Sequence, residues 1–382
     1  MTTTAQIDTT EPAPRWGRSV LPRELHAVAW WIWAVGLAAA AAMTLNPWLL
    51  LLIVACAAVV VEFRRSEAPW ALSFSFYLWF GLIVVLLRVV FRVIFGGSLG
   101  LDDPVLIPLP EIPLPEVARG IQLLGDVTLG SVLAGLYDGM RLAAIIICIG
   151  AANSLANPRQ LLASIPPALY EVGTAIVVAL SVFPQLADSV KRVTKARRLR
   201  GDPGKGVSAV RRIIVPVLED ALERAMTLAA SMDSRGYGRA GNSSARERWV
   251  TGSLMIVALM ALAVGSYGFL DATVPTYLSW PMLLLGLFFA TVSMLSAGKR
   301  VRRTRYRPRP WKFGEYAVVA SGIAVAFSYK GLGEMFPEAM YPDLNVWPAL
   351  PLVLVLVTLI GMLPAVLAPT PPREYDDVEE AL

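Results

Sequence analysis

Charged residues, histidine and cysteine are scarce in this sequence. Only 16% of the 382 residues are charged, whereas soluble domains carry about 25%. The two cysteines, Cys56 and Cys148, lie in apolar runs, so they are predicted to be buried and a disulfide framework is not expected. The single histidine, His26, lies near the start of an apolar run without histidine or cysteine at metal-binding spacing, so no metal site is predicted.

Hydrophobic residues are abundant instead. They make up 56% of the chain, and its mean hydropathy is +0.58. Several apolar runs reach the roughly 20 residues that a helix needs to cross a bilayer core. The pattern predicts an all-α polytopic membrane protein with about eight transmembrane helices, near residues 26–43, 47–61, 73–95, 127–151, 249–270, 278–296, 313–329 and 347–368. The first two share the turn Asn46-Pro47 and are predicted to form a helical hairpin.

The basic residues predict the orientation of these helices, because Lys and Arg accumulate on the cytoplasmic side of a membrane. Segment 191–248 has 14 basic and 6 acidic residues, and segment 299–312 has 8 basic residues and no acidic one. The proline-rich loop 98–126 has five acidic residues and one Arg. We therefore expect both termini to lie in the cytoplasm, and we attribute the basic surface to the membrane and not to nucleic acid.

This topology divides the chain into five predicted regions. They are an N-terminal cytoplasmic tail (1–25), a first block of transmembrane helices (26–151), a cytoplasmic region (152–248), a second block of transmembrane helices (249–368) and an acidic cytoplasmic tail (369–382). Segment 172–183 of the cytoplasmic region is apolar but has only 12 residues. That length favours an interfacial or re-entrant piece over a membrane crossing, and both alternatives are kept.

Two amphipathic helices are predicted in the cytoplasmic region, because apolar residues recur there at steps of three and four. One apolar stripe contains Ala179, Val182, Phe183, Leu186, Val190 and Val193. The other contains Val210, Ile214, Val217, Leu218, Ala221, Ala225, Leu228 and Met232. Pro184 and Pro216 are predicted to interrupt these helices near their starts, since proline lacks the N–H that a helix requires.

Both amphipathic helices end in Arg-Gly, at Arg200-Gly201 and at Arg235-Gly236. Glycine adopts the left-handed conformation that ends many helices without a Cβ penalty, so both glycines are predicted to do so. An arginine at this position also meets the negative end of the helix dipole, which stabilises by about 0.3–1 kcal/mol. Two copies of one ending predict two equivalent docking partners.

These endings resemble the coupling-helix motifs of the transmembrane T component of energy-coupling factor transporters, the EcfT/CbiQ family. The first reads Ala196-Arg197-Arg198-Leu199-Arg200-Gly201, close to the family's A-x-R-A-R-G. The second reads Ser231-Met232-Asp233-Ser234-Arg235-Gly236-Tyr237-Gly238, close to A-M-E-A-R-G-Y/F-G. Leu199 and Ser234 stand where the family has alanine, and the specific resemblance covers roughly residues 137–238.

The resemblance implies a non-catalytic scaffold with two long cytoplasmic coupling helices. In this family two cytoplasmic ABC ATPases bind these helices, and a membrane S component captures a vitamin or a transition-metal ion. The ATPases use ATP and Mg, and no cofactor is expected on this chain. The residues implied in ATPase coupling are Ala196, Arg198, Arg200, Gly201, Met232, Asp233, Arg235, Gly236 and Tyr237.

Two other classes are kept as alternatives. A self-sufficient secondary transporter or channel requires inverted repeats and broken helices at mid-membrane. A membrane-embedded lipid enzyme requires clustered Asp or His at the interface. Segment 236–241 fits G-x-G-x-x-G, but it follows a helix and not a strand, so a dinucleotide site is not predicted.

Four charged residues fall inside predicted spans, where ionisable groups are costly and are often functional. They are Arg88, Arg92, Asp138 and Arg141. Arg88 and Arg92 lie one helical turn apart near the predicted external end, from which long side chains can reach the interface. Asp138 and Arg141 are spaced i, i+3, which predicts either a self-neutralising pair or a contact with a partner subunit.

Overall fold

The computed structural model describes residues 23–66, 74–95, 104–110, 124–201, 207–237, 244–270, 276–298, 310–344 and 346–371. Predictions for residues 1–22, for most of loop 98–126, for 299–309 and for 372–382 lie outside the described residues.

The helices are α1 (Ala27–Ala42), α2 (Pro47–Arg64), α3 (Phe74–Phe95), α4 (Leu129–Leu155), α5 (Pro158–Ala163), α6 (Tyr170–Leu199), α7 (Val207–Ser234), α8 (Ala245–Leu270), α9 (Thr276–Gly298), α10 (Phe313–Met335), α11 (Pro337–Met340), α12 (Leu352–Ile360) and α13 (Pro364–Leu367). Two short strands pair in antiparallel fashion: β1 (Val105–Ile107) lies within loop 98–126, and β2 (Val127–Thr128) follows it directly.

The fold is all-α, as predicted. Within the described residues seven helices are long and apolar enough to cross a membrane, namely α2, α3, α4, α6, α8, α9 and α10. Six of them coincide with predicted spans. The predicted spans 26–43 and 347–368 are shorter helices: α1 has 16 residues, and the second consists of α12 and α13. Prolines limit the latter, because Pro351 immediately precedes α12 and Pro364 begins α13.

The seventh long helix, α6, corrects two predictions. Segment 172–183 is not a separate interfacial piece, because it is part of one continuous 30-residue helix. Pro184 lies inside α6, and Pro216 lies inside α7, so neither proline ends its helix. A single proline removes one N–H donor, and a long helix tolerates this loss when the hydrogen bonds on either side persist. The apolar first half of α6 therefore continues directly into its charged second half.

The helices form two compact units. The first contains the described residues 23–160 and 310–371, and the second contains 161–298. In the first unit, α4 packs against α1, α2 and α3, and α10 packs against α1 and α12. In the second unit, α8 packs along α9, and α6 packs against α7. The most extensive helix packing is between α3 and α4 in the first unit and between α8 and α9 in the second.

Buried polar side chains satisfy the helix ends of the first unit. The Asn46 side chain accepts a hydrogen bond from the backbone N–H of Trp48 at 3.1 Å and so caps α2. Its amide nitrogen donates to the backbone carbonyls of Ala339 and Ala349, both at 2.8 Å. The predicted turn at Asn46-Pro47 is therefore also a tie to the C-terminal part of the chain. Such ties matter because an unsatisfied buried polar group costs about 1–3 kcal/mol.

The closest helix packing in the first unit occurs where α1 crosses α10. A Cβ atom added to Gly36 would lie 2.3 Å from the carbonyl oxygen of Gly322. A Cβ added to Gly322 would lie 2.5 Å from the Cα of Trp33. Both distances are shorter than any van der Waals contact, so the two backbones approach each other through paired glycines. Helix association in membranes depends on such close packing, because lipid tails are as apolar as the helices.

We predict that Gly322→Ala destabilises the protein by roughly 1–3 kcal/mol, because the new methyl group forces α1 away from α10. Gly331→Ala is the matched control on the same helix, since a Cβ at Gly331 meets nothing within 4 Å. Thermal unfolding in detergent should show a lower midpoint for Gly322→Ala alone. Equal midpoints for the two variants would contradict the close crossing.

Candidate functional site

The α6 tip, residues 196–201, ends as the sequence predicts. Gly201 adopts the left-handed conformation with φ of +75°. Its N–H donates to the carbonyl of Arg198 at 3.1 Å, and the N–H of Arg200 donates to the carbonyl of Ala196 at 3.2 Å. These bonds satisfy carbonyl groups that the end of a helix otherwise leaves without partners.

The α7 tip, residues 232–237, ends in the same way. Gly236 has φ of +78°, and its N–H donates to the carbonyl of Asp233 at 2.9 Å. The N–H of Tyr237 donates to the carbonyl of Met232 at 3.0 Å. This pair of bonds, with glycine at the left-handed position, is a Schellman motif. Among the described residues the two tips share a left-handed glycine whose N–H donates to the carbonyl three residues earlier, and these bonds involve backbone atoms only.

The side chains at the two tips point outward. Ala196, Arg198, Arg200, Asp233 and Arg235 are all exposed. Neither Arg200 nor Arg235 forms an ion pair with another described residue. Each tip thus presents a guanidinium that offers several donors in one plane, a geometry that suits carboxylates and carbonyl groups.

A polar junction joins α6 to α7 well before the tips. The Ser189 hydroxyl, only 3% exposed as a residue, donates to Oδ2 of Asp220 at 2.7 Å. Arg224, one turn further along α7, donates to both oxygens of Asp220 at 3.0 and 2.9 Å. Arg192 of α6 approaches Oδ2 of Asp220 at 3.9 Å. We call Ser189, Arg192, Asp220 and Arg224 the crossing junction. The periodicity of the sequence did not indicate it, because it depends on a tertiary contact.

The crossing junction keeps Asp220 ionised. The pKa of its carboxyl lies below the ordinary value of 3.8, chiefly because Ser189 donates a hydrogen bond to the charged form. Hydrogen bonds and charge from Arg224, and the charge of Arg192, act in the same direction, while desolvation opposes them. A lowered pKa means that ionised Asp220 stabilises the crossing above its unfolded-state pKa, and that this contribution disappears as the pH falls through the folded-state pKa.

Half of the predicted apolar stripe of α7 is exposed among the described residues. Val217 is 7% exposed, whereas Val210, Ile214 and Leu218 of the same stripe are 53%, 46% and 60% exposed. The α7 surface away from the crossing is therefore apolar and open. In a membrane protein such a surface fits a lipid interface or another membrane subunit.

The four intramembrane charges come together on α3 and α4. The predicted pair is present, with Nη2 of Arg141 3.2 Å from Oδ1 of Asp138. Arg88 reaches the other oxygen of Asp138 at 3.7 Å. Nε of Arg92 is buried without an acceptor among the described residues. We call Arg88, Arg92, Asp138 and Arg141 the α3–α4 charge cluster.

The remaining candidates are accounted for by structure. His26 caps α1, since its Nδ1 accepts from the N–H of Val28 at 3.3 Å, and its ring lies 5.6 Å from that of Trp311. Cys56 and Cys148 are free and buried. In the part of the chain that the structure describes, no group of three or more His, Cys, Asp or Glu could hold a metal ion.

The geometry defines a polytopic α-helical membrane protein that presents two matched arginine-bearing helix tips. Residues 19–246, more than half of the chain, match the family model described as CbiQ, cobalt transport protein. The chain therefore belongs to the CbiQ family of membrane transport proteins, in agreement with the resemblance of its Arg-Gly motifs.

Curated relatives named energy-coupling factor transporter transmembrane protein EcfT also match. The chain is 36% identical over 103 residues to that of Lactobacillus helveticus, 33% over 104 to that of Streptococcus thermophilus, and 30% over 133 to that of Macrococcus caseolyticus. These alignments cover 25%, 25% and 30% of this chain and 37%, 39% and 50% of the relatives. The chain thus spans half or less of the length of these relatives. No solved structure is significantly similar to it.

We predict that Gly236→Val frays the α7 tip. A branched side chain opposes the left-handed conformation by at least about 1–2 kcal/mol, so the Schellman hydrogen bonds open more often. Hydrogen exchange at the amides of Gly236 and Tyr237 reports this, with Gly252→Val as a control, because Gly252 has no positive φ and no neighbour within 4 Å. Unchanged protection at the tip would contradict the cap.

We predict that Asp220→Asn widens the crossing of α6 and α7, because the buried Ser189 hydroxyl and two arginines lose an anionic acceptor. Spin labels at Lys195 and Thr227 measure the separation. Asp188→Asn is the control, since Asp188 pairs only with Lys191 of its own helix at 3.6 Å among the described residues.

Acid should have the same effect on the wild-type crossing. The label separation should be constant between about pH 5 and 8 and should increase only as the pH falls below the ordinary aspartate value of 3.8, because the lowered pKa delays the protonation of Asp220. The Asp220→Asn variant should lose this pH dependence. A transition of the same size in both proteins would assign it to other groups.

Proposed function

We propose that this chain is the membrane scaffold subunit of an energy-coupling factor importer. In this proposal two cytoplasmic ABC ATPases bind the α6 tip and the α7 tip, and the chain transmits their movement to a substrate-binding S component in the membrane. One observation carries the proposal: both tips have the same backbone cap, and each exposes an arginine without an ion pair among the described residues. Two copies of one surface fit two copies of one kind of partner.

Each tip is proposed to enter a groove on one ATPase. Arg200 or Arg235 would donate to carboxylates or carbonyl groups in the groove, and such charge-assisted hydrogen bonds are about twice as strong as neutral ones. The flanking residues would fill the groove around the arginine. They are Ala196, Arg198 and Gly201 at the α6 tip, and Met232, Asp233, Gly236 and Tyr237 at the α7 tip.

The crossing junction supports a mechanical role for α6 and α7. ATP binding and hydrolysis, with Mg on the ATPases, would move the two tips relative to each other. Since Ser189 and Asp220 join the helices 11 and 15 residues before Arg200 and Arg235, motion at the tips would reach the apolar parts of both helices. The exposed apolar surface of α7 is proposed to contact the S component or the membrane surface.

The substrate is proposed to bind the S component and not this chain. A vitamin or a transition-metal ion is the class that the family resemblance favours. This chain is proposed to be non-catalytic, to bind no cofactor itself, and to lie in the bacterial plasma membrane with both termini in the cytoplasm. ATP-independent flux through the isolated reconstituted chain would instead favour a secondary transporter or channel, and turnover of a lipid would favour a membrane enzyme.

We predict that the double variant Arg200→Glu, Arg235→Glu loses its ATPases during purification. Central interface arginines contribute about 2 kcal/mol or more each, so the retained ATPase should fall at least about tenfold. Quantitative mass spectrometry of a tagged, mildly solubilised complex measures the ratio of ATPase to this chain.

The control is the double variant Lys191→Glu, Arg211→Glu. It reverses two exposed charges on the same helices away from the tips, and it should retain the ATPases. Single variants at Arg200 or Arg235 should show intermediate loss. Undiminished ATPase in the tip variant, or equal loss in the control, would refute the docking role of the arginines.

A further inference from the structure

The α3–α4 charge cluster lies in the interface of an antiparallel helix hairpin. The stems of its two α3 arginines rest on glycines of α4. A Cβ added to Gly135 would lie 2.9 Å from the Cβ of Arg92, and one added to Gly139 would lie 3.2 Å from the Cβ of Arg88. The glycines therefore make room for two arginine side chains on successive turns of α3. The side chain of Arg88 nevertheless remains 49% exposed, so the cluster is open to the surface of the hairpin.

The cluster carries more positive than negative charge. Asp138 is the single carboxylate, and it is shared by Arg141 at 3.2 Å and Arg88 at 3.7 Å. Arg92 has a buried Nε and no hydrogen-bond acceptor among the described residues. Three guanidinium groups thus face one carboxylate. Among the described residues the cluster thus has two more positive than negative charges, which is costly beside hydrocarbon, and a further anion would stabilise it.

The depth of the cluster indicates which anions reach it. Arg92 and Arg88 lie three and seven residues before the end of α3, or about 4.5 and 10 Å along its axis. The 22 residues of α3 span about 33 Å, slightly more than the roughly 30 Å of the hydrocarbon core. The end of α3 therefore reaches the level of the phospholipid headgroups.

We propose that the α3–α4 charge cluster binds the phosphate group of a membrane phospholipid. Phosphate oxygens match the planar fork of arginine, and one phosphate can accept from Arg88 and Arg92 together. Leu87, Val90 and Phe91 of the same helix are each about half exposed and offer an apolar surface to the acyl chains. This site does not depend on ATPase coupling, so it stands or falls separately from the proposed function.

Native mass spectrometry of the delipidated full-length chain tests the site. Titration with phosphatidylglycerol should show a bound lipid that diacylglycerol with the same acyl chains does not replace. The double variant Arg88→Gln, Arg92→Gln should weaken phosphatidylglycerol binding by about tenfold or more, because it removes charge-assisted bonds. Lys191→Gln with Arg211→Gln, the control with equal charge loss elsewhere, should bind as the wild type does.

Asp138→Asn provides a test of opposite sign. It removes the carboxylate that competes for the arginines, so phosphatidylglycerol should bind severalfold more tightly. Arginines that only reach toward the interface would give no such gain. The pair Arg88→Lys, Arg92→Lys keeps the charge and loses the fork, and it should bind with intermediate affinity. If the double glutamine variant does not fold, Asp138→Asn and the double lysine variant still test whether the cluster binds phosphate.

Three results would overturn the proposal. The first is equal binding of phosphatidylglycerol by the wild type, the arginine variants and the Asp138 variant. The second is displacement of the lipid by millimolar inorganic phosphate, which would make the site one for a free anion. The third is arginine-dependent retention of a membrane protein partner without arginine-dependent retention of lipid, which would assign the cluster to a subunit interface.

Discussion

Hydrocarbon offers no hydrogen-bond partner to a backbone N–H or C=O group, and this constraint shapes the whole chain. Membrane-spanning segments must be helices, and each helix end must either reach the interface or find internal partners. Asn46 supplies such partners at the start of α2, and left-handed glycines supply them at the ends of α6 and α7. The candidate site lies where α6 and α7 end at the left-handed glycines Gly201 and Gly236.

Two kinds of contact fix the relation between helices among the described residues. In the first unit, the backbones of α1 and α10 meet at Gly36 and Gly322 without polar side chains. In the second unit, α6 and α7 leave much of their apolar surface open, and Ser189 and Asp220 define where they meet. Close packing of backbones determines how α1 and α10 cross, whereas directional hydrogen bonds determine how α6 and α7 cross.

Local features of the chain were predictable, and features that depend on contacts between distant residues were not. Hydropathy predicted the all-α membrane fold and six long helices, and the Arg-Gly endings predicted the positive φ of Gly201 and Gly236. The 12-residue length of the apolar run 172–183 did not indicate that it belongs to α6, because the helix continues through Pro184 into charged residues. The serine of the crossing junction has no signature in the periodicity of α6, since its role arises from Asp220 some 31 residues later.

The caps of the two tips are made by backbone atoms, with glycine as the one residue that they require. The neighbouring side chains are consequently not needed to end the helix. Their identities can therefore change without loss of the cap. Under the proposed docking role, the tip residues could be exchanged to fit a different partner while the helix ends stay the same.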